Sequence, residues 1–354
     1  MSTFGKWIES NIGFKALASA GAVAMASYYF YYHYLINKAA DTIVPYTIPS
    51  NFDESQRKGE IRVKSLFVYP IKSCKGVQVD KIALDQYGVV NDRRFLLTHN
   101  NRFITQRVYP NMAHIEPQFS QDGKELIVTA PGMDRELRVP LDPAQLGGQQ
   151  VDVVIWKDTT TAIDCGEEAN KWFSEYFGKD IKMVTIGEGY KRRIEKQFFE
   201  ALNYQDQSEQ DKDKLQTSFC DGAHIHILSE ASIARLNSLI RATRHQKHEK
   251  QEADLTVQTF RPNVLVENAF ADEEDSWSTF DISGTTFKRV EHTPRCKLTT
   301  VDPNKGVIDI YGDNEPIRTL RQFKNINGQP VFGIVCIHEQ DGRTISIGDT
   351  IKKL

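Results

Sequence analysis

The sequence predicts an α+β, β-rich chain of two domains behind an N-terminal transmembrane helix. Three observations carry that prediction. At 354 residues the chain has room for about two ordinary domains, and 40% hydrophobic with 26% charged residues is the balance of a globular protein. Short alternating or β-branched segments set apart by turn signals dominate the body, with two amphipathic helices among them. Residues 16–36, "ALASAGAVAMASYYFYYHYLI", carry no formal charge and match the roughly 20 residues a membrane-crossing helix needs.

Taken in order, the charge-free stretch comes first. Lys15 and Lys38 bracket it, its first half is Ala/Gly/Ser, and its second half is rich in tyrosine, which suits a headgroup interface. We read residues 1–40 as a retained membrane anchor. A cleaved signal peptide competes, since Ala24-Met25-Ala26 offers small residues at cleavage spacing, but no disulfide pattern follows to argue for secretion. The five cysteines, Cys74, Cys165, Cys220, Cys296 and Cys336, are odd in number and widely spaced, which fits a reducing compartment. Residues 41–60, with Pro45, Pro49 and a polar run, read as a linker.

The body then alternates between strands and turns. "IRVKSLFVYP" (61–70), "RFLLT" (94–98) and "VDVVIW" (151–156) read as strands, and Asp122-Gly123, Gly147-Gly148 and Asn327-Gly328 as turns. In "EEANKWFSEYFG" the residues Ala169, Trp172, Phe173, Tyr176 and Phe177 recur at helical spacing, with Gly178 as a stop. In "SEASIARLNSLIR" Ser229 caps the start, and Ile233, Leu236, Leu239 and Ile240 form the buried stripe. The polar stretches 203–214 and 244–254 read as exposed, so the domains are predicted at 61–187 and 188–354, with the boundary between 187 and 215.

Lys+Arg 44 against Asp+Glu 47 leaves a net charge of −3, so nothing in the bulk electrostatics favours nucleic acid. Four local clusters could carry chemistry. Cys296 lies between Arg295 and Lys297, which favour a thiolate, the form that attacks or binds metal. His292 is the nearest base for a cysteine nucleophile. A lone thiolate can also be one ligand of a metal whose other ligands come from a cofactor. On local sequence alone, an inert exposed cysteine is the stronger reading. "YPIKSCKG" (69–76) gathers Lys72, Ser73 and Lys75 in a tight turn able to grip an anion. "NDRRF" (91–95) offers Arg93 and Arg94, of which a strand can point only one at a shared site. "TFRPNVLV" (259–266) puts Arg261 and Asn263 on one face. His224 and His226 share a strand face without a second ligand pair, so zinc is not supported. "DEED" (272–275) reads as a solvated acidic turn. G-x-G-x-x-G, Walker A, H-E-x-x-H and G-x-S-x-G are absent. Each cluster alone is weak; together they describe an anion cradle of Lys, Ser and Arg with one soft thiolate.

"YPIKSCKG", "NDRRF", "FRPN", "EDSW" and "RCKLTTVDP", in that order, resemble the MOSC family with its N-terminal β-barrel partner domain. The chain is most similar to the mitochondrial amidoxime-reducing components, over roughly residues 61–352. The resemblance implies two barrel-like domains with the cofactor in the groove between them. It also implies molybdenum held by the dithiolene of molybdopterin and by Cys296. Lys72, Ser73, Arg94, Arg261 and Asn263 would bind the cofactor. Asp302 would be a nearby proton-handling or orienting carboxylate, although a turn-former before Pro303 explains it equally well. "DGAH" (221–224) lacks the hydroxyl residues of some relatives, so contacts there would use the backbone N–H groups of Gly222 and Ala223. Pro294 rules out a side-chain contact at its position, and Lys324 receives no role.

The activity implied is reduction of amidoximes to amidines and hydroxylamines to amines. Electrons would come from NADH through cytochrome b5 reductase and cytochrome b5. The site implied is the outer mitochondrial membrane, with the body in the cytosol. Two other classes compete: a carrier of molybdenum cofactor or sulfur without N-reductase turnover, and a membrane-tethered scaffold without cofactor.

Overall fold

A computed structural model describes residues 46–203 and 206–354. The predicted anchor and the linker up to Pro45 lie outside them. Among the described residues no helix is long and apolar enough to cross a membrane. Tyr46–Leu354 forms one compact unit.

The larger element is a nine-stranded sheet. Its order is Val77–Val79, Arg62–Val68, Val264–Glu267, Ile225–Ser229, Gln329–His338, Thr285–Pro294, Thr279–Ile282 and Ile351–Lys353, with Asn325–Ile326 hairpinned onto Gln329–His338. All neighbours are antiparallel except Ile225–Ser229 beside Val264–Glu267. The sheet curls until its last strand meets its second: Arg62 bridges Thr350, Val63 N–H donates to Asp349 O (2.9 Å), and Ile351 N–H to Ile61 O (2.8 Å). Curling satisfies backbone groups that an open edge would leave exposed. Trp277, Phe280, Phe287, Leu66 and Ile334 fill its interior.

The second element is a closed five-stranded barrel of Gln150–Ile155, Asp158–Asp164, Lys182–Thr185, Phe95–His99 and Arg102–Phe103. Helix Glu167–Phe177 packs Trp172 and Phe173 in one cluster with Phe95, Leu97 and Met183, and Gly178 stops it in the left-handed conformation (φ 63°). Helix Glu230–Gln246 starts where expected, with the Ser229 hydroxyl accepting from Ala231 N–H. It buries Leu236 and Ile240 fully, while Ile233 and Leu239 remain half-buried.

The two elements interlock through the first strands of the body. Arg62–Val68 belongs to the large sheet, and Lys81–Asp85 pairs with Thr344–Ser346 near the C-terminus. The chain thus starts in the sheet, crosses into the barrel at Phe95, and returns after residue 185. Crossing segments 69–76 and 91–95 are therefore pinned at the seam: Arg93 N–H donates to Tyr69 O (2.7 Å), Phe95 N–H to Pro70 O (3.0 Å) and Lys72 N–H to Phe95 O (2.9 Å).

One backbone position matters to both fold and site. Gly333, inside Gln329–His338, has φ 75°, and a Cβ there would sit 2.7 Å from His226 Nε2 and 2.8 Å from Ile227 O. Gly333→Ala is expected to cost about 1–3 kcal/mol, from the left-handed backbone and the overlap together. A urea midpoint unchanged by the substitution would contradict this.

The acidic turn is the largest departure from the sequence reading. Asp272, Glu273, Glu274 and Asp275 are buried, not solvated. Lys324 lies 2.7 Å from Asp272 and 2.6 Å from Asp275, Arg57 and Lys353 hold Glu273, and the Ser229 N–H and Ser232 hydroxyl serve Glu274. Periodicity could not find this, because the countercharges come from residues far away in sequence. The same cluster seats part of the predicted linker: Tyr46 donates its hydroxyl proton to Asp275 (2.7 Å), and Phe52 stacks on Phe270 at 5.4 Å.

Burial pushes the Glu274 carboxyl up to about 7, Lys324 opposing and Asp275 adding to the shift. A carboxyl raised on folding stabilises the protonated fold, so its contribution is complete below about 4.5 and disappears as pH rises through about 7. Glu274→Gln lacks that titration. The thermal midpoint of the parent is expected to fall relative to Glu274→Gln between about pH 4.5 and 7. A difference constant across that range would exclude the assignment.

Candidate functional site: a cation-rich cleft at the seam

Where sheet and barrel meet, a cleft of about 170 Å³ opens. The barrel side contributes Lys72, Ser73, Asp92, Arg93 and Arg107; the sheet side contributes residues 220–226, 259–261, 263, 293–296, 298–299 and 335. Five cationic side chains (Lys72, Arg93, Arg107, Arg261 and Arg295) face two carboxylates, Asp92 and Asp221. The cleft is thus built for an anion.

Lys72 is 5% exposed, and its ammonium donates to Phe219 O (2.7 Å) and to Asp221. Burial lowers its pKa, Asp221 opposing. Ser73 follows in the left-handed region (φ 67°), its carbonyl accepting from Gln106 Nε2 (2.7 Å) and its hydroxyl without a partner among the described residues. Arg93 and Arg261 both lie over the Tyr69 ring at 4.3 Å. Burial brings Arg261 down to about 10 and Arg295 down to about 9. Desolvated cations of this kind regain their charge stabilisation when an anion arrives.

Orphaned polar atoms make the same point. Arg261 Nη2, Arg107 Nε and Thr293 Oγ1 are buried with no hydrogen-bond partner among the described residues. Each such group costs about 1–3 kcal/mol unless something fills the cleft and satisfies it. The amide N–H groups of Gly222 and Ala223, both on the lining, likewise donate to no described acceptor. A hydrogen-bonding, anionic group fits this lining.

Cys296 sits on the same lining, exposed, at the start of the short 3₁₀ turn Lys297–Thr300, where its carbonyl accepts from Thr299 N–H (3.0 Å). The other four cysteines are buried. His292 is not its base, for its ring meets Asp275 O (3.0 Å) and Arg289 (3.1 Å) instead. Arg295 places its guanidinium 2.6 Å from His226 Nε2 and also donates to Phe332 O and Phe260 O. Burial and Arg295 hold His226 neutral, while burial and His338 bring His224 down to about 3. His224 bonds His338 (3.0 Å) and Gln216 O (2.8 Å), so the two histidines do not converge on a metal.

Of the residues named from sequence, the cleft gathers Lys72, Ser73, Gly222, Ala223, Arg261, Asn263 and Cys296. Asn263 has its amide fully engaged: Nδ2 donates to Phe67 O (3.1 Å) and Asp92 (3.0 Å), and Oδ1 accepts from His226 N–H (3.1 Å) and Arg93 (3.3 Å). It braces the wall and aims Arg93. Two of the named residues lie off this lining. Arg94 turns away from the cleft, its guanidinium held 2.6 Å from Asp85 and stacked on Tyr87 at 5.0 Å, and Arg93 takes the cleft position. Arg93 has φ 48°, held by backbone bonds to Tyr69 and Phe219, so the two side chains diverge within a turn before the strand begins. Asp302 is off the lining, and its carboxylate accepts from Asn304 N–H (2.9 Å) and Lys305 N–H (3.2 Å), the work of a turn-former.

Asp221, Arg107 and Arg295 line the cleft and were missed. Asp221 is the half-exposed carboxylate at its mouth, touching Lys72, Trp156 Nε1 (2.9 Å) and Arg107 (3.6 Å). Burial alone would raise its pKa, but Lys72, Trp156 and Arg107 outweigh that and hold it well below the usual range. Arg295 was visible beside Cys296; nothing in the sequence marked Asp221 or Arg107.

Residues 60–180 match the MOSC N-terminal beta barrel domain and residues 214–352 the MOSC domain. The chain is 32% identical over 307 residues to mitochondrial amidoxime reducing component 2 of Bos taurus, covering 82% of this chain and 83% of that protein. The chain belongs to the family of amidoxime-reducing components. The Rattus norvegicus component 2 is 30% identical over 306 residues, with the same coverage. A molybdenum cofactor sulfurase of Solanum lycopersicum is 26% identical over 284 residues, which are 80% of this chain but 34% of that protein. In this chain the cleft draws on both matched domains, Lys72 to Arg107 from the first and Cys220 to Val335 from the second.

Proposed function

We propose that this chain is a molybdenum cofactor-dependent reductase of N-hydroxylated compounds, converting amidoximes to amidines and hydroxylamines to amines. The observation that carries the reading is one exposed cysteine on a buried, cation-rich lining with unsatisfied donors. The names of its relatives, amidoxime reducing components, point the same way. Lys72, the Ser73 hydroxyl, Arg93, Arg261 and the N–H groups of Gly222 and Ala223 would hold the anionic part of molybdopterin, and the Cys296 thiolate would bind the metal. Bound there, the cofactor supplies the two-electron chemistry.

The protein's own part is positional and electrostatic. Reduction of each N–OH group takes up two electrons and two protons and releases water. Asp221, held ionised by its cationic neighbours, accepts hydrogen bonds from a substrate N–H and so orients the N–OH group; it is too acidic to be the proton source. Solvent at the open mouth supplies the protons. Electrons come from NADH through cytochrome b5 reductase and cytochrome b5, consistent with a chain lacking a dinucleotide motif. We place the protein in mitochondria, at the outer membrane through residues 16–36 with the body in the cytosol.

The sulfurase likeness motivates the carrier alternative. Purified protein from a cofactor-competent host distinguishes them through molybdenum per chain and benzamidoxime reduction by a chemical donor. Near-stoichiometric metal with turnover supports the reductase, metal without turnover supports a cofactor carrier, and absence of metal refutes both the reductase and the cofactor carrier.

A further inference from the structure

Trp156 adopts a backbone conformation that its residue type disfavours. It sits at the tight turn between Gln150–Ile155 and Asp158–Asp164 with φ 55°, a conformation that bulky residues avoid and hairpin turns usually give to Gly, Asn or Asp. Burial does not compensate, since the residue is 43% exposed. Strain kept at a partly exposed position points to function.

Trp156 is not itself on the cleft lining, but three contacts hold its ring beside residues that are or that flank it. The indole N–H donates to Asp221 Oδ1 (2.9 Å), the Arg107 guanidinium lies 4.6 Å from the ring, and Phe103 meets it edge-on at 5.0 Å. Asp221 and Arg107 both line the cleft. A flat aromatic surface backed by a cation and left partly open to solvent is a stacking platform.

We propose that Trp156 is the specificity-determining residue of this site, a shelf that favours N-hydroxylated substrates whose reacting nitrogen is attached to or conjugated with an aryl group. The proposal rests on the reductase reading. Small alkyl amidoximes reach the same Asp221 but have no ring to stack.

The test compares benzamidoxime with acetamidoxime on the molybdenum-loaded full chain, as parent, Trp156→Ala and Trp156→Phe. The readouts are kcat/KM and, by calorimetry, Kd. The Ala variant is expected to lower the benzamidoxime-to-acetamidoxime ratio about tenfold, through KM, and the Phe variant to keep it within about twofold. Equal losses for both substrates in Trp156→Ala would overturn the shelf. So would a Phe variant as unselective as Ala, which would make Trp156 a positioning residue acting through its N–H on Asp221. Trp156→Gly, whose backbone suits the turn, replaces Ala should that variant fail to fold. A loaded parent that reduces neither compound refutes the reductase reading, while the ratio of Kd values still decides whether the shelf exists.

Discussion

Replacing Lys324 with Met is expected to destabilise the chain by about 3–5 kcal/mol, the usual cost of removing one partner from a buried ion pair. Lys324 is 3% exposed and lies between Asp272 and Asp275, themselves 2% and 0% exposed. Arg235 still reaches Asp272 and Tyr46 still reaches Asp275, but neither replaces an ammonium shared by both carboxylates. Much of the loss is the penalty of a carboxylate stranded without a countercharge. Lys324→Met combined with Asp275→Asn should therefore recover part of it. Urea unfolding of the parent, the single and the double variant measures the effect. A single variant within about 0.5 kcal/mol of the parent would show that the cluster is not electrostatically coupled.

Changing Cys296 to Ser should lower benzamidoxime reduction by at least about a hundredfold, since even residues one step removed from a metal typically cost 10–100-fold. Stability should hardly move. The side chain is exposed, and the contact that organises the following turn is made by its carbonyl to Thr299. A hydroxyl is a poorer soft-metal ligand than a thiolate, so molybdenum per chain or its spectroscopic signature should change with activity. Wild-type turnover in the variant would remove Cys296 from the reaction and, with it, the main argument for the site.

The two amphipathic helices were readable because an apolar stripe needs only local spacing, and Gly178 and Ser229 act within a residue or two of the ends they terminate. The anion cradle was readable as a set of residue types: Lys72 and Ser73 in one turn, Arg261 in another, Cys296 in a third. Which arginine of "NDRRF" serves the cleft was not, because φ 48° at Arg93 is set by its bonds to Tyr69 and Phe219 across the seam. "DEED" shows the reverse failure. Four consecutive acids look solvated in any local window, and only the approach of Lys324, Arg57 and Lys353 from distant parts of the chain makes their burial affordable.

The sequence by itself determined the helices, the strand-rich body and the chemical inventory of the site, since short-range periodicity and residue type specify these. The tertiary structure alone decided that Asp221 and Arg93 lie on the cleft lining while Asp302 and Arg94 lie off it, and that Trp156 meets Asp221 and Arg107. Those outcomes depend on how a curled sheet and a closed barrel share their first strands. Pairings between residues 69–95 and 219–263 are long-range, and no local pattern encodes which side chains they bring face to face.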